Sequence, residues 1–314
     1  MVADAGAPVR WIEIKLVTDG EIAEALAEVL GRFVDNGVVV EAETNFNSKT
    51  QENEPTGNIA VYGYLPDDNT LEDKRKALEE ALWYLGMIAP MPPIQYTPIH
   101  DENWMSAWKT HYQPIQVGKN LLILPAWRQP DEGETRNVVR INPAMAFGTG
   151  AHPSTQLCLR LMEVHLEPGE PVIDLGCGSG ILSIAALLMG ATHALAVDID
   201  EEALASTREN AELNRIDAVR LEVGQGSVNE ILAGHFSLQE APLVLVNILA
   251  PVIIRLFGQG LPALVSPDGA LLLSGILAEQ ELDLLDVATK AGFSLIERMI
   301  DGDWVGLMMQ KSTG

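Results

Sequence analysis

The sequence predicts an α/β protein: a mostly parallel, doubly wound sheet preceded by a smaller α+β unit. Three observations predict it. From residue 137 onward, apolar strand-like runs alternate with helical stripes. One run, 171–175, feeds the glycine-rich turn "GCGSG" and then an apolar helix. The chain closes on two strand-like runs, "FSLIERMI" and "WVGLMMQ", around "DGD", a turn sequence suited to an antiparallel hairpin.

The first domain is expected over residues 10–96. "WIEIKLVTD" reads as a strand, and "GEIAEALAEVLGRFV" places apolar residues at helical spacing. "GVVVEAET" and "NIAVYGYLP" read as strands, with the polar stretch 45–58 between them as a long exposed loop. "TLEDKRKALEEALWYLG" opens on an N-cap threonine and stops at Gly86. With "PIQYTPI" as a last strand the order is β-α-β-β-α-β, a ferredoxin-like arrangement.

Prolines 90, 92, 93 and 98 stiffen the chain and mark a boundary. Residues 97–136 are expected to be a linker with a connecting helix and strand, whose three tryptophans suit packing at a junction. Residues 137–314 form the second domain, with strands expected at 171–175, 193–198, 219–223, 242–247 and 269–274. Together with the closing hairpin they make a mostly parallel, seven-stranded sheet. That is the Rossmann-like layout of class I methyltransferases.

At 314 residues, 47% hydrophobic and 20% charged, the chain is large enough for two packed domains. Its longest apolar run, "APLVLVNILAPVIIRLFGQG", is broken by Asn247, Pro251 and Arg255, whereas a membrane helix needs roughly 20 apolar residues in a row. The start "MVADAGAPVR" lacks the basic and apolar regions of a signal peptide, so a soluble, cytoplasmic protein is expected. Two cysteines, Cys158 and Cys177, with no cysteine–histidine cluster, point to neither a metal site nor a disulfide framework. The formal net charge of −24 repels phosphate backbones, so direct nucleic-acid binding is not expected, but it would attract a basic protein.

Gly176, Gly178 and Gly180 let the backbone turn tightly and approach a ligand ahead of a helix N-terminus. Asp174, two residues before the first glycine, sets a negative charge where a pyrophosphate would be repelled. S-adenosylmethionine has no phosphate and carries a cationic amino group and a sulfonium, so it suits this turn better than a dinucleotide. Asp198, in "AVDID", follows Gly176 by 22 residues, about the separation at which an acidic residue meets ribose hydroxyls. Asp200 is the expected cap of the following helix.

Four further stretches sharpen the reading: "DENWMSAWKTHYQPI", "NPAMAFGTGAHPSTQLCLRLME", "VNILAPVI" and "DGDWVGL". Over roughly residues 100–310 they closely resemble the methyltransferases that modify large-subunit ribosomal protein 11. The resemblance implies a loop, "FGTGAHPST", folding over the cofactor, with contacts from Phe147, Thr149 and Thr155. Pro153 is placed as the first residue of a helix. It also carries Asn247, at the end of the fourth strand, into the cofactor site as the residue that aligns the target nitrogen.

Related amine methyltransferases have an Asn-Pro-Pro-Tyr type motif at that place. Here the sequence is Asn-Ile-Leu-Ala, without the prolines or the aromatic, which fits an aliphatic amine better than a flat nucleobase. His152 is a candidate general base or a shaper of the loop. The implied activity is methyl transfer from S-adenosylmethionine, without a metal, to lysine side-chain and N-terminal amines of the basic ribosomal protein. The first domain would recognise that protein or serve dimerisation. A methyltransferase of RNA or of a small-molecule amine, a binding protein without activity, and a dehydrogenase remain the alternatives.

Overall fold

The computed structural model describes residues 11–18, 22–34, 38–47, 52–86, 91–99, 113–142 and 150–312. The chain divides into two compact units, residues 1–113 and 114–314. In the first, β1 (Trp11–Thr18), α1 (Ala23–Gly31), β2 (Val39–Asn47), β3 (Glu52–Pro66), α2 (Leu71–Leu85) and β4 (Gln95–Ile99) follow one another. The strands pair antiparallel in the order β2-β3-β1-β4, which is the ferredoxin-like arrangement. Alternate residues of β1, Ile14 and Leu16, join Leu26 and Leu30 of α1 and Leu78 and Leu82 of α2 in one core.

The stretch 45–58, expected as a long loop, is for the most part an extension of two paired strands. β2 runs on to Asn47 and β3 begins at Glu52, with Asn45 opposite Glu54 and Phe46 opposite Asn53. Antiparallel pairing uses backbone N–H and C=O groups, which polar residues supply as well as apolar ones. Such a ribbon therefore leaves no hydrophobic alternation to read. The helix expected near Trp104 and Trp108 lies outside the described residues.

In the second unit β5 (Ile115–Val117), β6 (Leu121–Pro125) and β7 (Asn137–Ile141) form a small sheet of their own. The main sheet comprises β8 (Val172–Leu175), β9 (Ala194–Asp198), β10 (Leu221–Gln225), β11 (Ala241–Asn247), β12 (Val265–Leu277), β13 (Phe293–Asp301) and β14 (Trp304–Lys311). Their order is β10-β9-β8-β11-β12-β14-β13, and only β14 runs against the rest.

Buried strands that alternate between two covered faces explain the nearly continuous apolar runs. Leu243 and Leu245 of β11 pack with α3 (Pro153–His165), α4 (Ile181–Leu188) and α5 (Glu201–Leu213) on one face. Val244 and Val246 pack with α6 (Val228–Leu232), α7 (Ala250–Gly258) and α8 (Glu281–Lys290) on the other. From β8 the chain moves outward through β9 and β10, then returns to β11 on the opposite side of β8. The reversal opens a crevice at the carboxyl ends of β8 and β11, the place where open α/β sheets bind ligands.

Candidate active site

The turn after β8 is fixed by backbone conformations that favour glycine. Gly176 has φ 78°, Gly178 53° and Gly180 76°. A Cβ on Gly176 would stand 2.6 Å from Ile248 Cγ2, so the segment after β11 presses directly on the turn. The N–H groups of Gly176 and Cys177 both donate to Val197 O, at 2.8 and 3.2 Å. From above, the buried Thr207 hydroxyl donates to Gly178 O at 2.8 Å, and Asn210 Nδ2 donates to Ser179 O at 2.9 Å. Asn210 Oδ1 also accepts the N–H of Asn142 at 2.8 Å, tying the end of β7 to the turn.

Thr207 and Asn210 hold the turn in a way that the sequence pattern does not reveal. On an isolated stripe of α5 they read as solvent-facing polar residues. Their three-residue spacing on the face that carries Leu204 and Ala211 is the one available signal.

Asp174, near the end of β8, is buried beside the turn. It is 1% exposed, and its Oδ2 accepts the N–H of Ser183 at 3.1 Å and the Ser183 hydroxyl at 2.6 Å. Ser183 is the third residue of α4, so the carboxylate satisfies a free amide of the helix N-terminus. Burial pushes the Asp174 carboxyl up to about 6, against the downward pull of the two Ser183 bonds, and the charge of Asp198 adds to the rise.

Asp198 ends β9. Its Oδ2 accepts the N–H of Gly178 at 2.9 Å and its Oδ1 the N–H of Asp200 at 3.1 Å. Asp200 in turn caps α5 through Glu202 N–H at 2.9 Å, as expected of it. The acid and the glycine turn are thus joined directly.

Asn247 ends β11, and its Nδ2 donates to Thr155 Oγ1 at 3.4 Å. Thr155 is fully buried and near the start of α3, and these two residues meet across 92 positions of sequence. The other amide atom, Asn247 Oδ1, is buried and has no hydrogen-bond partner among the described residues. Phe147 and Thr149 lie outside the described residues.

His152 shapes the loop end. Its Nδ1 accepts the N–H of Ser154 at 3.2 Å, making it the N-cap of α3, and its ring meets Trp304 edge-on at 4.6 Å. Accepting that N–H engages the Nδ1 lone pair. Cys177 Sγ lies 3.4 Å from Thr207 Oγ1, and burial raises the thiols of Cys177 and Cys158 far above the range of reactive cysteines.

A seven-stranded sheet whose single reversed strand is inserted next to the last, with a glycine turn and an acid at neighbouring strand ends, is the fold of the class I methyltransferases. The model of the family "Ribosomal protein L11 methyltransferase (PrmA)" matches residues 10–312. The ribosomal protein L11 methyltransferases of Heliobacterium modesticaldum and of Geobacter sp. strain M21 are 36% and 38% identical, over 96% of this chain and 98% of theirs. The solved structure of ribosomal protein L11 methylase from Lactobacillus delbrueckii subsp. bulgaricus is 30% identical. It covers 64% of this chain and 99% of its own, with a TM-score of 0.56. The chain belongs to the ribosomal protein L11 methyltransferase family. No helix among the described residues is long and apolar enough to cross a membrane.

Proposed function

We propose that this chain transfers methyl groups from S-adenosylmethionine to amines of ribosomal protein L11, at lysine side chains, the N-terminal amine or both. The observation that carries the reading is the buried, unpartnered Oδ1 of Asn247. A buried acceptor without a donor costs on the order of 1–3 kcal/mol, so it calls for a donor that arrives with a ligand. A target amine is such a donor.

The residues present fit the cofactor. Asp198 would take the ribose hydroxyls, and the backbone of Gly176 and Gly178 would lie against the ligand. Thr155 orients the Asn247 amide, and Phe147 and Thr149 would contribute contacts to the cofactor. Asp174 ties the end of β8 to the start of α4 through Ser183. S-adenosylmethionine, when bound, supplies an electrophilic methyl carbon on a cationic sulfur.

The chain has to present the amine neutral and aligned. A lysine ammonium near pKa 10.4 costs about 4–5 kcal/mol to deprotonate at pH 7, whereas an N-terminal amine near 8 costs about 1 kcal/mol. Asn247 Oδ1, by accepting one N–H, would fix the direction of the nitrogen lone pair; positioning of this kind is a major part of catalysis. Apolar surroundings would lower the amine pKa.

The first unit is assigned the grip on the substrate. It offers Trp83 and Tyr84, both more than half exposed, beside a concavity of about 330 Å³ lined by Leu16, Leu82, Met91 and Glu79. The net charge of −24 favours a basic protein there.

Mass spectrometry of purified L11, incubated with this protein and S-adenosylmethionine beside a parallel reaction on ribosomal RNA, tests the reading. Methyl steps on the protein are expected. Asn247→Ala is expected to lower kcat by about 100-fold. Labelled RNA with unmodified protein would overturn the substrate, and an Asn247→Ala variant with unchanged turnover and cofactor affinity would overturn the role of Asn247.

A further inference from the structure

The two residues after Asn247 are both large aliphatics, and the structure treats them in opposite ways. Ile248 is wedged: its Cγ2 fills the space where Gly176 would carry a Cβ, and its carbonyl oxygen lies 2.3 Å from the corresponding point on Gly275, which has φ 79°. Its side chain packs on the core shared by β8, β11 and α7. Leu249 is left 65% exposed at the entry to α7, with φ −58° and ψ 134°.

Nothing in the local backbone calls for a leucine there. The helix start needs little help from a polar cap, because Pro251 has no N–H to satisfy and Val252 N–H already donates to Leu249 O at 2.9 Å. A lone exposed leucine is ordinary on a protein surface. This one stands two residues beyond the buried acceptor that has no donor, at the carboxyl end of the strand that borders the crevice.

A lysine nitrogen is separated from its own Cα by four methylenes. To reach Asn247 Oδ1 those methylenes must pass the end of β11. An N-terminal amine is bonded directly to its Cα and brings no such stem. We infer that Leu249 is a specificity-determining residue, the apolar wall against which the methylene stem of a target lysine packs, and that it favours lysine side chains over N-terminal amines. This rests on the proposed reading that the chain methylates amines of a protein. The same contact keeps water from the stem and from the neutral nitrogen at its end.

The test compares wild type, Leu249→Ser and Leu249→Met on two L11 peptides. One has an acetylated N-terminus and a single lysine, and the other has a free N-terminus and no lysine. For Leu249→Ser, kcat/KM at the lysine is expected to fall about tenfold, chiefly through KM, as if roughly two methylenes had lost their cover. The N-terminal amine should change by less than about threefold, and Leu249→Met should restore the lysine.

Calorimetry with S-adenosylhomocysteine present gives a readout apart from turnover. The Kd of the lysine peptide should rise about tenfold in Leu249→Ser, while the Kd of S-adenosylhomocysteine itself stays put. Unchanged lysine kinetics, or an equal loss on both peptides, would overturn the inference while leaving the methyltransferase reading intact. A wild-type enzyme that modifies no amine of L11 or its peptides would overturn the reading and the inference together.

Discussion

Asp174→Asn removes a buried carboxyl that holds the start of α4. The carboxyl is buried beside the turn and its pKa is raised from 3.8 to about 6, mainly by loss of water. The folded protein therefore holds this proton more tightly than the unfolded chain does. The stability contributed by the group is whole below about pH 3.8 and is lost as the pH rises through about 6. About two pKa units at roughly 1.4 kcal/mol each give ~3 kcal/mol over the full span, of which about 2 kcal/mol falls between about pH 4.5 and 7.5.

Asparagine keeps an oxygen for the Ser183 N–H and never ionises. Relative to wild type it should therefore gain about 2 kcal/mol of unfolding free energy between about pH 4.5 and 7.5. Because every other titrating group is common to both proteins, the difference isolates Asp174. Urea series at each pH, with hydrogen exchange of the β8 and α4 amides followed by mass spectrometry, measure the opening of this region. A difference that stays flat across the window, or that turns against asparagine as the pH rises, would refute the reasoning. It would mean that the charge on Asp174 is held by something stronger than Ser183.

Two further outcomes are expected. Gly176→Ala forces φ 78° on a residue with a side chain and drives its Cβ to within 2.6 Å of Ile248 Cγ2. Cofactor affinity measured by calorimetry should drop at least tenfold, and retention within about threefold would mean that the turn is not the cofactor's seat. Cys158 and Cys177 are buried with thiols pushed up, so a thiol reagent at about pH 8 should label neither until the protein is unfolded. Rapid labelling of the native protein would contradict the burial of the turn.

The main sheet was legible because its strands are buried on both faces and feed helices with clear stripes; β8, β9 and β11 stand within a residue or two of their expected bounds. The meeting of Asp198 with the glycine turn was legible in the same way, since strand ends in a parallel sheet lie side by side. What stayed hidden were the partners chosen by individual side chains. Spacing places Asp174 next to the turn, but only packing decides that one of its oxygens accepts from Ser183. Thr207 and Asn210 hide in a helix that reads as a polar surface. The pairing of Thr155 with Asn247 joins residues 92 apart, and no local pattern records a contact of that range. The β2–β3 ribbon escaped for the opposite reason, because its cohesion is in the backbone.

On the proposed reading, the charge of the whole chain and the chemistry of its site pull in opposite directions. A surface with net charge −24 draws a basic substrate in, and the same field stabilises the ammonium form of each lysine it attracts. Methyl transfer needs the neutral amine. The reversal has to be local, and the residues at the end of β11 are suited to it: Asn247 presents a neutral acceptor rather than a carboxylate, and Ile248, Leu249 and Ala250 follow it without a single ionisable group. A carboxylate in place of Asn247 would accept the same hydrogen bond and hold the proton on the nitrogen as well. The neutral amide orients the amine while leaving its pKa free to fall, which is why attraction can be spread over the surface and deprotonation confined to the crevice.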